Sequence, residues 1–439
     1  MKHVRLYLSF LAGAFLVRAS AFALEPSLTI QDAIRNAWKN QAGLQSGEAM
    51  VEKARWEAEA MKDLRLPTLS ASAGFMRTNE PMQAFGMKLD QARISQMDFM
   101  PDRLNHPDPI LGAGAALTLS QPLYAGGRLD AARKAGAAMA SAEASNQSFR
   151  RQQVALAVVQ AYFGAQVAEQ ALRYAEDTLN QARETERFIQ ARAEQGLMLK
   201  SDQERAKAFR AQAEAGVAEA RQRVASARSA LALLVGDEVV AQSLVTSLGQ
   251  DLPVVAEVDG SRADLQASRS YSRAAAENAV AARGTLKPEV GLNLTAGTAR
   301  NAWNSGGNWT TASIGARWTF SLSDAKRAQA ARAQSRAAEM SVKWQEAQAR
   351  REIQEARGAL LTAQAKIAFA KVALESSESV RAIRKARHRE GLLPLVEVLD
   401  AESGLSGART LLLGSELDER VSRAQLSLAL GQPIESVKE

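Results

Sequence analysis

The 439-residue chain contains no cysteine. That excludes disulfides, thiolate metal sites and an acylated amino-terminal cysteine as a lipid anchor. Histidine is nearly as scarce: His3, His106 and His388 are the only three. A histidine-based metal centre within one chain is therefore not expected. Aromatic residues make up 5% of the chain, too few for a large aromatic core. No stretch after residue 24 reaches the run of about 18 apolar residues that a transmembrane helix needs. If the mature chain enters a membrane, it must do so as a closed β-barrel. There is no Walker A loop, no nucleophile–histidine pair and no metal-ligand spacing. An ATPase or hydrolase is disfavoured, and no cofactor is expected.

Charge excludes little. The net charge is +7, but Lys2, Arg5 and Arg18 lie in a segment expected to be removed, leaving +4 (7 − 3). The remaining basic residues are interleaved with acids along helices, which reads as a solvated face. No basic patch beside aromatics points to nucleic acid. The segment in question, residues 1–23, reads as a secretory signal peptide. Lys2 and Arg5 open it, Leu6 to Val17 forms an apolar core, and Ala21-Phe22-Ala23 fits the small-x-small rule before a cut at Leu24.

What the chain has in quantity is alanine at heptad spacing. From Val158, one position reads Val158, Ala165, Leu172, Leu179. A second, three residues on, reads Ala161, Ala168, Ala175, Ala182, Ile189. This 3-4-3-4 pattern is the seam of a left-handed coiled coil. With so many alanines, a partner helix can approach closely. Adding 195 to each number gives Ile353, Leu360, Ile367, Leu374 and Ala356, Ala363, Ala370, Ser377. The same seam returns in phase, as in a tandem duplication, with repeats at 24–258 and 259–439.

Each repeat reads as helix, strand, loop, strand, long helix, tip, helix. The first helix starts at Leu28-Thr29-Ile30, with Thr29 or Ser27 as cap, and runs to about Arg65. Thr68 to Arg77 alternates, with Leu69, Ala71, Ala73 and Phe75 on one side and Thr68, Ser70, Ser72 and Gly74 on the other. Residues 78–112 read as a large polar surface loop. A strand follows at Ala115–Gln121, then a long helix over about 130–195. Ser201 is expected to cap the next helix, and Gly236 to end it. Residues 239–261 read as a linker. In the second repeat, Val290, Leu292, Leu294 and Ala296 alternate with polar residues, as do Ala312, Ile314, Ala316, Trp318 and Phe320. A long helix from Asp324 to about Arg389 breaks at Gly391 and Pro394 and resumes to Leu430.

A long helix of this kind measures about 100 Å at 1.5 Å per residue. It needs partners along its whole length. The four strands have the length and alternation of outer-membrane strands, but roughly eight are the fewest that close a barrel. Several copies must therefore pool their strands, with the helices forming a common tube below. The alternative of another class is a soluble periplasmic coiled-coil adaptor or structural protein.

Gln121-Pro122-Leu123-Tyr124-Ala125-Gly126-Gly127 at the strand-to-helix turn resembles the outer-membrane efflux protein family, the TolC-like trimeric exit ducts. So do Gly391 with Val396-Glu397-Val398-Leu399-Asp400-Ala401 at the second tip. In the first large loop, Ala84-Phe85-Gly86, Leu89-Asp90-Gln91 and Leu104-Asn105-His106-Pro107 resemble a version common there. The resemblance covers the whole mature chain. It implies a mostly α fold in which long antiparallel coiled-coil helices form a periplasmic tunnel. Four amphipathic strands per chain would join a trimeric, twelve-stranded outer-membrane barrel. It further implies a homotrimer in outer-membrane lipid, docked to a periplasmic adaptor and an inner-membrane transporter. Such a duct serves drug efflux or, alternatively, type I protein secretion.

The tips are the candidate sites. Glu397 and Asp400, three apart on one helix, share a face and would place six carboxylates around a trimeric tunnel mouth. Like charges at about 4 Å repel by about 1 kcal/mol in water and about 4 kcal/mol at an effective dielectric of 20. Such a ring resists closing, so something must offset it. In the family, the first-tip aspartate, here Asp202, bonds an arginine two residues beyond the second-tip glycine. Leu393 stands there instead. His388 occupies a position where some members carry tyrosine. His388, or one of Arg384, Arg387 and Arg389, is expected to replace the lost partner. By resemblance, Gly196, Leu197, Gly391 and Leu392 are adaptor-docking positions. Met76 just before the large loop, and Met82, Met87, Met97 and Met100 in it, are soft donors, but loop methionine is more often gap-filler, and no metal is assigned.

Overall fold

The computed structural model describes residues 27–196, 198–237, 242–248, 262–302 and 305–434. The expected signal segment 1–23, Leu197 and most of the linker lie outside them. β1 (Ser27–Leu28) leads into α1 (Ile30–Asn40), capped by Thr29, whose hydroxyl accepts from the Asp32 backbone N–H at 3.1 Å. α2 (Ala42–Asp63) follows directly. The single helix expected here is two, because Gln41 between them is extended.

β2 (Thr68–Thr78) then rises to the segment expected to be a loop. That segment is folded. It holds α3 (Pro81–Asp90), a 3-10 turn at Gln96–Phe99 and α4 (Pro101–Asn105). The prolines that read as loop formers sit at the first helical position, where a missing N–H costs nothing. Ser95 and Asp98 close a capping box on the 3-10 turn. β3 (Ile110–Ala125) is longer at both ends than alternation indicated, and Pro122 is accommodated at a register shift.

α5 (Arg128–Glu194), α6 (Lys200–Val235) and β4 (Ser243–Leu244) complete the first half. Ser201 is not the cap of α6. The helix begins two residues earlier, with Leu199 at the N-cap and no side-chain bond. The second half contains α7 (Ala263–Gly284), β5 (Glu289–Ala302), β6 (Ser305–Arg317), α8 (Leu322–Arg389) and α9 (Leu395–Ala429). Its hairpin is short, since Ala302 already pairs with Ser305.

The four long strands form one antiparallel sheet in the order β2-β3-β5-β6. Cross-strand pairing puts Leu69, Leu119, Leu294 and Ala312 on one face, and Ser70, Thr118, Thr295 and Thr311 on the other. The polar face is hydrogen-bonded across strands: Thr118 Oγ1 to Thr295 Oγ1 at 3.2 Å, and Ser120 Oγ to Asn293 Oδ1 at 2.8 Å. The apolar face is bare, with Phe75 86% and Leu69 70% exposed. β2 and β6 are edges without a further strand partner among the described residues. The long helices join the sheet at one end; the β2–β3 insertion, with α3 and α4, and the β5–β6 turn lie at the other.

Below the sheet the helices pack side by side. α5 touches α1, α2, α6, α7 and α9, while α8 touches α7 and α9. The seam alanines Ala165, Ala182, Ala363 and Ala370 are buried as the heptads require. The largest core sits at the waist. There α1, α5 and α6 enclose Ile34, Val158, Tyr162, Phe163 and Leu231. β1 and β4 pair in parallel beside it. Tyr162 is fully buried, its hydroxyl donating to Leu28 O at 2.7 Å and accepting from Thr246 N at 3.0 Å. That small waist sheet and its tyrosine were not read from the sequence. Two-residue strands carry no periodicity to detect.

Candidate functional site

The far ends of the two long hairpins lie together. After α5 and after α8 the chain reverses through a glycine with positive φ, +72° at Gly196 and +80° at Gly391. L side chains avoid this region. The caps match: Gly196 N bonds Ala193 O at 2.9 Å, and Gly391 N bonds His388 O at 2.9 Å. Leu392 N adds a bond to Arg387 O at 2.9 Å, which completes a Schellman motif. Ile189, Ala206 and Leu395 are buried between the tips, with Phe188, Met198 and Leu399 packed against them. Leu199 and Leu392 stay about 70% exposed on the outer turns (70% and 69%).

One face of the last turns of α8 grips α9 at three levels. Arg381 Nε donates to Glu402 Oε1 at 2.7 Å. Arg384 Nη1 meets Glu397 Oε2 at 2.9 Å and the Glu397 carbonyl oxygen at 3.1 Å. His388 Nδ1 donates to Leu393 O at 2.7 Å. Its ring is buried, edge-on to Phe188 with centroids 6.1 Å apart, and Nε2 has no partner among the described residues. Positions 381, 384 and 388 are three and four apart, so they line one stripe of the helix. The two hairpins are joined to each other by Lys385, which reaches Gln181 and, at 3.6 Å, Glu184. Arg192 also donates to Arg389 O at 3.1 Å.

Thus Glu397 and Asp400 are in different situations. Glu397 is half-buried against Arg384, while Asp400 is exposed. Within one chain the Asp202 carboxylate has no bond to His388, Arg384, Arg387 or Arg389 among the described residues; the histidine is engaged with Leu393 O instead. Arg387 is exposed. Leu197 lies outside the described residues. Arg381 and Glu402 were missed in the sequence. The signal was there, as arginines at i and i+3 facing acids at the start of the returning helix.

Long helical hairpins carrying a shared, half-apolar sheet whose edges are open define a class: outer-membrane ducts assembled from several chains. The sequence matches the outer membrane efflux protein family over residues 33–237 and 254–432, and the chain belongs to that family. No curated relative matches the sequence. Solved structures share the fold at low identity. The outer membrane protein VceC of Vibrio cholerae has a TM-score of 0.78 at 20% identity, covering 92% of this chain and 96% of that one. The Campylobacter jejuni CmeC outer membrane channel has a TM-score of 0.80 at 17% identity, covering 93% and 87%. The open state of the Neisseria gonorrhoeae MtrE outer membrane channel has a TM-score of 0.75 at 19% identity, covering 93% and 91%.

The chain is accordingly an outer-membrane efflux channel, with its helices forming a periplasmic tunnel. Channels of this family are trimeric components of efflux systems, and the family is one of ducts rather than enzymes.

Proposed function

We propose that three copies of this chain, each built of two repeats (24–258 and 259–439), form a passive exit duct for small molecules. The tunnel closes at its periplasmic tips until an adaptor and an inner-membrane transporter engage it. The sheet's free β2 and β6 edges support three-fold closure, since four strands are about half the smallest single-chain barrel. The exposed outer turns at Gly196 and Gly391, with Leu199 and Leu392 beside them, are apolar and suit docking of an adaptor hairpin. Leu197, an adaptor-docking position by resemblance, lies outside the described residues.

The gate reading is supported by one observation: Arg384 holds Glu397 against α8. Repulsion within an acidic ring is thereby reduced in each subunit before any contact between subunits is made. Asp400 remains as the lumenal acid, one per chain. His388 acts by holding the Leu393 carbonyl, which fixes the turn that carries α9. Asp202 then finds its partner on a neighbouring subunit.

The test is resting single-channel conductance of the purified trimer. Arg384→Ala frees Glu397 and is expected to raise it. Arg384→Ala with Glu397→Gln is expected to return it toward the wild-type value, because the released charge is gone. Asp202→Ala should raise it as well. Unchanged conductance in all three would refute the lock. Small-molecule cargo is tested by deleting the gene: dye and drug susceptibility should rise while the secreted protein pattern stays the same.

A further inference from the structure

The segment between β2 and β3 folds back over the sheet, and register decides on which face. Along β3, residues 112, 114, 116, 118 and 120 share the polar face, and along β6 so do 307, 309, 311 and 313. In a barrel that face lines the lumen. α3 packs against β3, β5 and β6, and its contacts fall on that face. A Cβ placed on Gly112 would run into the terminal methyl of Met87, and one on Gly307 into the backbone carbonyl of Asp90. Both positions are bare because a helix lies directly on them.

The contact is anchored by Gln91, which is 2% exposed. Its Nε2 donates to Leu111 O at 3.2 Å and Arg300 O at 3.4 Å, so one side chain ties the helix to both hairpins. Its Oε1 accepts from Arg93 at 3.2 Å. Ala84 is fully buried. Phe85 meets Phe99 edge-on at 5.7 Å, and Lys88 pairs with Asp98 at 2.7 Å. That pairing, with the Ser95 hydroxyl and N–H, holds the Asp98 carboxyl well below the usual carboxylate range. Just below, the Trp309 indole lies across Gly297 on the same lumenal face.

Since Ala84, Met87 and Gln91 face the sheet, the opposite side of α3 faces away from the wall. Met82 and Leu89, seven apart, occupy that side and are exposed (80% and 52%). The helices of the tunnel join the barrel at the other end, so α3 sits at the external mouth.

We propose that α3 is an exit filter. Three copies fold inward and narrow the external mouth of the duct, and Met82 and Leu89 set its bore with thioether and aliphatic surface. Solutes too wide to pass this ring are refused entry from outside, independently of the periplasmic tips. The inference rests on the trimeric duct proposed above.

The test uses the full-length trimer inserted in one orientation in planar bilayers, with polyethylene glycols of graded size added on the external side. A polymer that enters the mouth lowers conductance. The size at which it stops doing so measures the bore. Met87→Ala with Gln91→Ala removes the anchor and is expected to shift the cut-off to larger polymers. As a second reading, Met82→Cys introduces the only thiol of the chain. A bulky cationic thiol reagent added externally is expected to reduce the current of that variant and leave the wild type untouched. An unchanged cut-off, or a modified cysteine with unchanged current, overturns the filter while leaving the duct intact. Protein that forms no channel at all would overturn the duct, and the filter with it.

Discussion

The two long hairpins share one seam and differ in what covers it. Val158, Ala165 and Ala182 of α5 are completely buried. Their counterparts 195 residues on, Ile353, Leu360 and Ser377 of α8, are only half-buried, although Ala363 and Ala370 of α8 are buried where Ala168 and Ala175 of α5 are half-buried. The sequence patterns are equivalent; the positions in the chain are not. α5 is flanked by helices on both sides, whereas α8 is the last helix of the row. It leaves Leu361, Phe369, Val372, Val380 and Ile383 exposed. These are spaced eight and three apart, an eleven-residue period that keeps a stripe on one side of a nearly straight helix. The stripe therefore has the pattern of a buried face and the exposure of a surface. In a trimer, a neighbouring copy is the expected cover for it.

This comparison breaks first at that stripe. Leu361→Asp with Phe369→Asp places two carboxylates where the neighbour packs, at a cost of several kcal/mol per chain for burying unpaired charge. The expected result is loss of the trimer on heat-modified gel migration, with the chain remaining helical. A trimer that persists would mean that α8 is not a subunit edge.

The next effect lies at the waist, where the repeats have diverged. Tyr162 in α5 corresponds to Arg357 in α8, and Phe163 to Gly358. In the first copy, Tyr162 ties β1 and the residues after β4 to the helical wall. Tyr162→Phe keeps the ring and strips the bonds from Leu28 O and the Thr246 N–H. It should cost about 1–3 kcal/mol, the penalty for leaving buried polar groups unpaired. Thermal unfolding of the detergent-solubilised protein measures it. A loss smaller than the error would show that water replaces the hydroxyl.

What could be read in the sequence follows from the length of each signal. Sixty-seven residues of α5 and 68 of α8 repeat their seam many times, so helix, phase and duplication were all legible. The strands were legible as alternation, though their ends were not, because Ile110 and Ala125 pair only through tertiary register. The external insertion was misread because Pro81 and Pro101 begin helices rather than interrupt them. At the tips, spacing was enough to put Glu397 and Asp400 on the first turns of one helix. It could not say that Arg384 neutralises one and leaves the other free, because the pairing depends on how α8 and α9 cross.

The smallest effect sharpens the comparison at a single pair of equivalent positions. Arg221 in α6 is largely exposed and pairs with Glu176 at 3.4 Å. At the same place in α9 stands Glu416, half-buried. Burial pushes its carboxyl above the ordinary value, while Lys371 and Arg420 pull it back down in part. A carboxyl raised in the folded state favours folding below its unfolded pKa, and that advantage fades as pH rises through the folded value. At neutral pH the charged form is therefore a small burden. Glu416→Gln should raise the melting temperature at pH 7, and the gain should vanish when the pH is brought below the carboxylate range, where wild type and variant are both neutral. Arg221→Gln, which removes only an exposed pair, should change stability by about 0–1 kcal/mol. If Glu416→Gln instead destabilises at pH 7, Lys371 and Arg420 outweigh burial, and the second hairpin is held at this level by charge as well as by its seam.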